Sequence, residues 1–566
     1  MIHLIIYTFS LCAASWAVWR LLRRYVVNSD LDNIPGPPVQ SIWNGNFSKV
    51  FNPNAWGFHQ EISEKYGSVV KIKSLLGENQ LYVFDPKAMH HIVVKDQFIY
   101  EETSAFIQNN KTCLGPGLLG TLGEQHRKQR KMLNPVFSMA HLRNMIPIFY
   151  NVTNKLRDTL AMKIANGPQE VWFLSLYEFL CLKLERKVDI LHWMSRTALE
   201  LVGQSGLGYS FDTLTEDAVL HPYSLSVKKF VPASFHFIWA RNYLLPFLSK
   251  IGSPKFQRRV IDLLPWKELH EFRDIVDVLH NTAVEIIESK KKAMAAGDDA
   301  VLDQVGQGKD IISILLRANM AASKADSLSE EELVGQVSTL TFAATDTTSS
   351  ALSRILYLLS HHPEVQEKLR HELMQARKDP DVDLSYDELV NLPYLDAVCR
   401  ETLRLYAPVP TMSRTTRQDI VLPLSKPVIG LDGREMHEIF VPNNTNVIIG
   451  IMASNRNPEI WGPDSLEWKP ERWLEPLPQQ LDSVHIPGVY SHLMTFLGGG
   501  RACIGFKFSQ LEMKVVLSVL LRTFRFSPSN KEIFWQMNAI ATPILEKDRK
   551  QTIPHSQLPL VLHLVD

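Results

Sequence analysis

The chain has 566 residues, 45% of them hydrophobic, and its 60 Lys and Arg balance 60 Asp and Glu to a formal net charge of zero. That balance offers no electrostatic footprint for nucleic acid. Five scattered cysteines, Cys12, Cys113, Cys181, Cys399 and Cys503, give neither a disulfide framework nor zinc-ligand spacing, and suit a reducing compartment.

Met1–Trp19 is nearly all apolar and carries no acid, Lys or Arg. A helix of that length spans about 28 Å, one hydrocarbon core. Arg20, Arg23 and Arg24 follow, and basic residues on that flank predict that the bulk of the chain faces the cytosol. A cleaved signal peptide is the competing reading. It is disfavoured by the missing charged leader, the long apolar stretch and the poor small-residue site. Ile34-Pro35-Gly36-Pro37-Pro38 then reads as a stiff hinge, because proline fixes φ and opposes helix before it. The expected organisation is a transmembrane anchor over 1–22, a basic flank and Pro-rich hinge over 23–38, and one large domain over 39–566. No long linker and no internal repeat cuts that domain. Strands are expected near Val69–Lys73, Leu81–Phe84 and Val447–Ile451, in a fold that is mainly α with a smaller β-rich part.

Gly123–Lys131 is a dense run of charge ahead of Pro135-Val136-Phe137, and its plain reading is a solvated helix face. Residues 171–187, VWFLSLYEFLCLKLERK, interrupt a passage that otherwise joins smoothly from Gln169-Glu170 to Val188-Asp189. Two readings stay open. The codons of this stretch can open with GT and close with AG, as a retained intron does. Alternatively, it is an extra amphipathic helix that touches membrane or substrate access.

Glu330-Glu331-Glu332 follow Ser329 and open an apolar pattern from Leu333 to Leu359; acids in the first turn mark a helix start. In its middle, Ala343-Ala344-Thr345-Asp346-Thr347-Thr348 sets an acid and alcohols inside an apolar helix. That is costly unless they are used or satisfied. Thr347 can back-bond to the carbonyl one turn earlier. Glu401 and Arg404 stand at i, i+3 on one helix face, and Pro470-Glu471-Arg472-Trp473 follows. Phe496-Leu497-Gly498-Gly499-Gly500-Arg501-Ala502-Cys503-Ile504-Gly505 reads F-x-x-G-x-R-x-C-x-G. Glycines there let backbone turn tightly and approach a flat cofactor. A thiolate is the axial ligand that favours O–O cleavage at haem iron.

In these motifs and in this order the chain resembles the cytochrome P450 family of haem-thiolate monooxygenases. The spelling looks most like membrane-anchored fungal members of basidiomycete type. The resemblance implies the cytochrome P450 fold preceded by one transmembrane helix. It implies haem b, with Cys503 on the iron. Arg130, His126, Arg414 and Arg501 would hold the propionates, His126 standing where the family often has Trp. Phe496, Gly499 and Gly505 would shape the loop beside the haem. Thr347 would hold the oxygen molecule and Asp346 would relay protons, with Ala344 where the family usually has glycine. Glu401, Arg404 and Arg472 would form a buried ionic network that supports the haem loop, and Trp473 in place of Phe reads as a mild, apolar change.

The family also implies electrons from NADPH through a separate partner, the NADPH–cytochrome P450 reductase of the same membrane. Arg127, Lys128 and Lys131 are available to dock it. The chain shows no convincing G-x-G-x-x-G unit of its own. The expected location is the endoplasmic reticulum membrane, single-pass, with the catalytic domain facing the cytosol. The family's pocket lines up with Tyr100–Leu122, Tyr209–Leu248, the helix around Phe342, Val409–Ser413 and Ala539–Thr542. These stretches are largely apolar, so the expected substrate is a hydrophobic small molecule, terpenoid, steroid-like or polyketide. The fungal likeness implies secondary metabolism, terpenoid-like in class, with one atom of O2 inserted by hydroxylation or epoxidation. Two alternatives stay open: a reductase-independent isomerase or dehydratase of the same family, and a haem-binding protein without turnover. The intact Asp346-Thr347 pair argues against both.

Overall fold

A computed structural model describes residues 11, 12, 15, 29–39, 41, 43–166, 187–377, 379, 382–551 and 554–565. The expected anchor over 1–22, three residues aside, and the 171–187 stretch, Lys187 aside, lie outside the described residues. No helix among the described residues is long and apolar enough to cross a membrane.

The chain divides into two compact units, and both are assembled from segments distant in sequence. One comprises residues up to Thr103, Pro410–Leu466 and Pro478–Ala502. Its sheet contains β1 (Val69–Lys73), β2 (Asn79–Val83), β3 (Tyr100–Glu102), β4 (Met412–Thr416) and β5 (Asn446–Ile449), in the order β1-β2-β5-β4-β3. The first strand falls where expected, and the other two expected strands begin one or two residues earlier. All neighbours are antiparallel except β2 and β5. Val70, Ile72, Tyr82 and Ile448 pack with Ile62 into its core. The proline stretch is not a loose tether here. Lys71 N donates to Pro35 O at 2.9 Å. A Cβ on Gly36 would lie 2.0 Å from Lys71 O, so only glycine permits this approach. Leu31 and Ile34 are buried, so the core of this unit begins ahead of the prolines.

The other unit, Ser104–Val409, Glu467–Leu477 and Cys503 onward, is mainly helical. Its principal helices are α1 (Ser104–Leu114), α2 (Gly123–Leu133), α3 (Met139–Asn166), α4 (Ile190–Leu201), α5 (Pro222–Phe235), α6 (Lys267–Ala296), α7 (Glu330–His361), α8 (Pro363–Ala376), α9 (Pro393–Leu405) and α10 (Phe506–Thr523). Two small antiparallel sheets accompany them: Lys187–Asp189, Pro559–Leu564 and Phe524–Pro528 in one, Ile533–Gln536 and Thr542–Leu545 in the other. Apolar α7 packs on α4 and α6, and α10 packs on α3. The start of α7 is fixed by a reciprocal cap: Ser329 Oγ accepts from Glu332 N at 3.2 Å, and Glu332 Oε2 accepts from Ser329 N at 2.8 Å. At Val202 α4 gives way to a wider π turn, closed by Gly208 at φ 59°.

Gly115-Pro116-Gly117-Leu118-Leu119-Gly120 does spell G-x-G-x-x-G. It follows a helix and not a strand, and its glycines serve packing. A Cβ on Gly117 would lie 2.3 Å from Gly335 O, so the loop backbone runs directly against α7. A dinucleotide loop needs the strand before it and the helix N-terminus after it.

Candidate functional site

The boundary between the units falls between Ala502 and Cys503, so the candidate residues divide. Phe496, Gly499, Arg501 and Arg414 belong to the sheet-bearing unit, and the others belong to the helical unit.

In the helical unit, Cys503 lies just before α10, whose N-cap is Gly505. The thiol keeps accessible surface. Burial pushes the thiol up, while the backbone N–H of Gly505 and the charge of Arg130 pull it back. Arg130 comes from α2, whose run Glu-Gln-His-Arg-Lys-Gln-Arg-Lys separates by face. Arg127 and Lys131 are exposed, and His126 and Gln129 are buried. Burial lowers Arg130, and the field of Cys503 raises it. Cys503 and Arg130 are therefore brought together. Gln129 was not singled out from the sequence. It donates to Glu332 Oε1 at 2.9 Å and to Pro116 O at 2.8 Å, tying α2 to the start of α7. A buried Gln inside a charge run was the available signal.

On α7, Thr347 Oγ1 donates to Ala343 O at 2.7 Å, the local back-bond anticipated from the sequence. Asp346 has no carboxylate partner in hydrogen-bond range among the described residues. Burial raises its carboxyl to about 6, while the charge of Lys228 on α5 pulls the other way. Phe342, one turn earlier, meets Phe230 of α5 edge-on at 5.3 Å, and Phe230 meets Phe272 of α6 at 5.6 Å. The acid thus sits beside an aromatic wall.

The structure also brings Glu401, Arg404 and Arg472 together. Arg404 grips the carboxylate with two nitrogens, Nε to Oε2 at 2.9 Å and Nη2 to Oε1 at 2.8 Å, with all side-chain atoms buried. Arg472 Nε approaches Oε1 at 3.4 Å, and Lys469 N donates to the same oxygen at 3.1 Å. Trp473 is not the apolar replacement expected. Its indole Nε1 donates to Glu401 Oε2 at 3.0 Å, so the ring brings a hydrogen bond that Phe lacks.

In the sheet-bearing unit, the glycine run presses on neighbouring backbone. Gly499 has φ 67°, and a Cβ there would lie 1.7 Å from Val93 O. Gly500 N donates to Gln97 Oε1 at 2.7 Å. Phe496 meets Tyr490 edge-on at 5.6 Å. Arg501 is partly exposed. Arg414, in β4, is buried and donates through Nη1 to Glu102 Oε2 at 2.8 Å and to Ser413 O at 2.9 Å.

Comparison with known proteins bears on this arrangement. A sequence model of the family described as cytochrome P450 matches residues 35–546. Cytochrome P450 monooxygenase 91 of Postia placenta is 52% identical over 544 residues, covering 96% of this chain and 97% of that protein. Ganoderic acid synthetase CYP5150L8 of Ganoderma lucidum is 44% identical, covering 95% and 96%. Cytochrome P450 monooxygenase 81, also of Postia placenta, is 49% identical over 96% and 95%.

Proposed function

This chain belongs to the cytochrome P450 family and is a monooxygenase, and from that premise we propose that it hydroxylates or epoxidises a hydrophobic, terpenoid-like small molecule in fungal secondary metabolism. The observation that carries the reading is the accessible Cys503 thiol beside Arg130 and the Gly505 N–H.

The residues fit a haem. Cys503 offers a thiol with accessible surface, beside the Gly505 N–H and the charge of Arg130. Haem b, when bound, supplies the oxidation, and an axial thiolate favours O–O cleavage. Cys503 would ligate its iron as thiolate. Arg130, His126, Arg414 and Arg501 would bind its carboxylates by charge-assisted hydrogen bonds. Gly499, Gly505 and Phe496 would keep the loop close to its face. The Asp346 carboxyl, pushed up to about 6 by burial, takes up and releases a proton within about a unit of neutrality, and Thr347 offers a hydroxyl one residue on, so the two would serve proton transfer. Glu401, Arg404 and Arg472 would support the fold of the haem-loop region and touch no reactant.

Electrons would come from NADPH through a separate reductase, with Arg127 and Lys131 as exposed cations for docking. The aromatic wall of Phe230, Phe272 and Phe342 suits an apolar substrate. The terpenoid class rests on the likeness to the ganoderic acid synthetase. The endoplasmic reticulum membrane is the proposed site, through the apolar stretch at Met1–Trp19. Trp239, Leu244, Phe247, Leu248, Leu263 and Trp266, all exposed, support a surface that meets lipid.

The test is a reduced, carbon monoxide-bound difference spectrum of membranes carrying the chain, beside Cys503→Ser. A thiolate-type Soret shift lost in the variant is expected, and its absence from the parent would refute the haem assignment. Reductase-dependent oxygen consumption with a terpenoid panel then separates a monooxygenase from an isomerase or a silent haem carrier.

A further inference from the structure

Most buried cations described in the helical unit are held by acids, and Arg354 lies instead over the rings of Tyr406 and Trp535. Arg196 is gripped by Asp212 at 2.6 and 2.7 Å, Lys290 by Asp310 at 2.7 Å, and Arg404 by Glu401. Pairing is what burial of charge requires. Arg241 departs from that pattern. It is half-buried, and among the described residues its guanidinium has no acid within ion-pair distance and no hydrogen-bond partner. It is the one Lys or Arg in Phe235–Leu248, FHFIWARNYLLPFL. Its turn, Ala240–Leu244, packs on α1, which in turn packs on α7, the helix of Asp346 and Thr347. Burial lowers the guanidinium, whose field reaches the buried Cys113 thiol of α1. Trp239, Leu244 and Phe247 surround it in sequence with apolar surface. A planar fork of donors without a partner, in an apolar setting, matches a carboxylate carried on a hydrocarbon body.

We propose that Arg241 anchors the carboxylate of a hydrophobic acid, so that the monooxygenase takes terpenoid-like acids in preference to their neutral counterparts. This rests on the function proposed above and specifies its substrate class. Lys228 acts on Asp346 and is not the anchor.

The test uses the full haem-loaded chain in detergent. It is titrated with three pairs of probes, abietic, ursolic and palmitic acids and their methyl esters, with binding read from haem absorbance and tryptophan fluorescence. For at least one pair the acid should bind about tenfold or more tighter than its ester, as charged hydrogen bonds allow. Arg241→Gln should bring acid and ester within about twofold and leave ester affinity unchanged, while Arg241→Lys keeps part of the preference. Equal binding of acid and ester in every pair overturns the proposal, as does failure of every acid to bind. A preference that survives Arg241→Gln, or that Lys228→Gln removes instead, overturns it as well. The carbon monoxide spectrum of the same samples reports separately on the haem, so a thiolate spectrum without acid preference refutes the anchor alone.

Discussion

The indole Nε1 of Trp473 donates to Glu401 Oε2 at 3.0 Å, and the carboxylate it reaches is already held by two nitrogens of Arg404. An aromatic side chain thus completes a buried ionic group. Trp473→Phe keeps the apolar bulk and deletes the donor. It should cost about 1–3 kcal/mol and lower the temperature at which the thiolate spectrum is lost. Arg404→Leu strands a buried carboxylate at about 3–5 kcal/mol and should abolish haem-loaded protein altogether. Equal effects of the two substitutions would contradict this ordering.

Gly499 and Gly505 are both glycines of the Cys503 loop, but the structure separates them. Gly499→Ala adds a Cβ 1.7 Å from Val93 O at φ 67°, whereas a Cβ on Gly505 meets nothing nearer than Phe137 Cε1 at 3.9 Å, at φ −89°. Haem content measured by absorbance should collapse in Gly499→Ala and persist in Gly505→Ala.

The Asp346 carboxyl titrates near 6, above its ordinary value of 3.8, because it is buried. The native state therefore holds this proton over the interval from about 4 to 6, where the unfolded chain has released it. Stability contributed by the neutral carboxyl is present at low pH, falls as pH rises to about 6, and is lost above that. Proton delivery should follow the same group: turnover under saturating reductase should decline as pH rises through about 6. Lys228 lowers the value, so Lys228→Met should move the inflection upward, and Asp346→Asn should remove it. An inflection unmoved by Lys228→Met would exclude the coupling.

Thr347 Oγ1 is committed to Ala343 O at 2.7 Å as donor and keeps its lone pairs for a second partner. Thr347→Ala should lower product formed per NADPH consumed on the order of 100-fold, with unfolding shifted by less than about 1 kcal/mol. Thr347→Ser should retain most of the product yield. A large stability loss with unchanged yield would make the hydroxyl structural.

For residues 171–187, transcript sequencing and expression with and without the segment decide between the two readings. Reads that continue through it in every message would rule out a retained intron. Removal of a retained intron should raise the yield of haem-loaded protein, and removal of a true helix should lower it.

Much of the site was legible in the sequence because its signals are local. The F-x-x-G-x-R-x-C-x-G spelling, the Ser329 and Glu332 cap, and the alternation in Val69–Lys73 each lie within a few residues, and backbone chemistry at that range is nearly independent of context. The sequence by itself therefore determined the cysteine loop, the long helix with its Asp346 and Thr347, and the family. Only the tertiary structure decided that Trp473 reaches Glu401, that Gln129 ties α2 to Glu332, that Gly117 admits the backbone of Gly335, and that Asp346 keeps its proton to about pH 6. Those contacts span 72 to 218 residues, and burial is a property of the assembled chain. A side chain's partner and its charge depend on what packs around it, and that is set by segments no local pattern can specify.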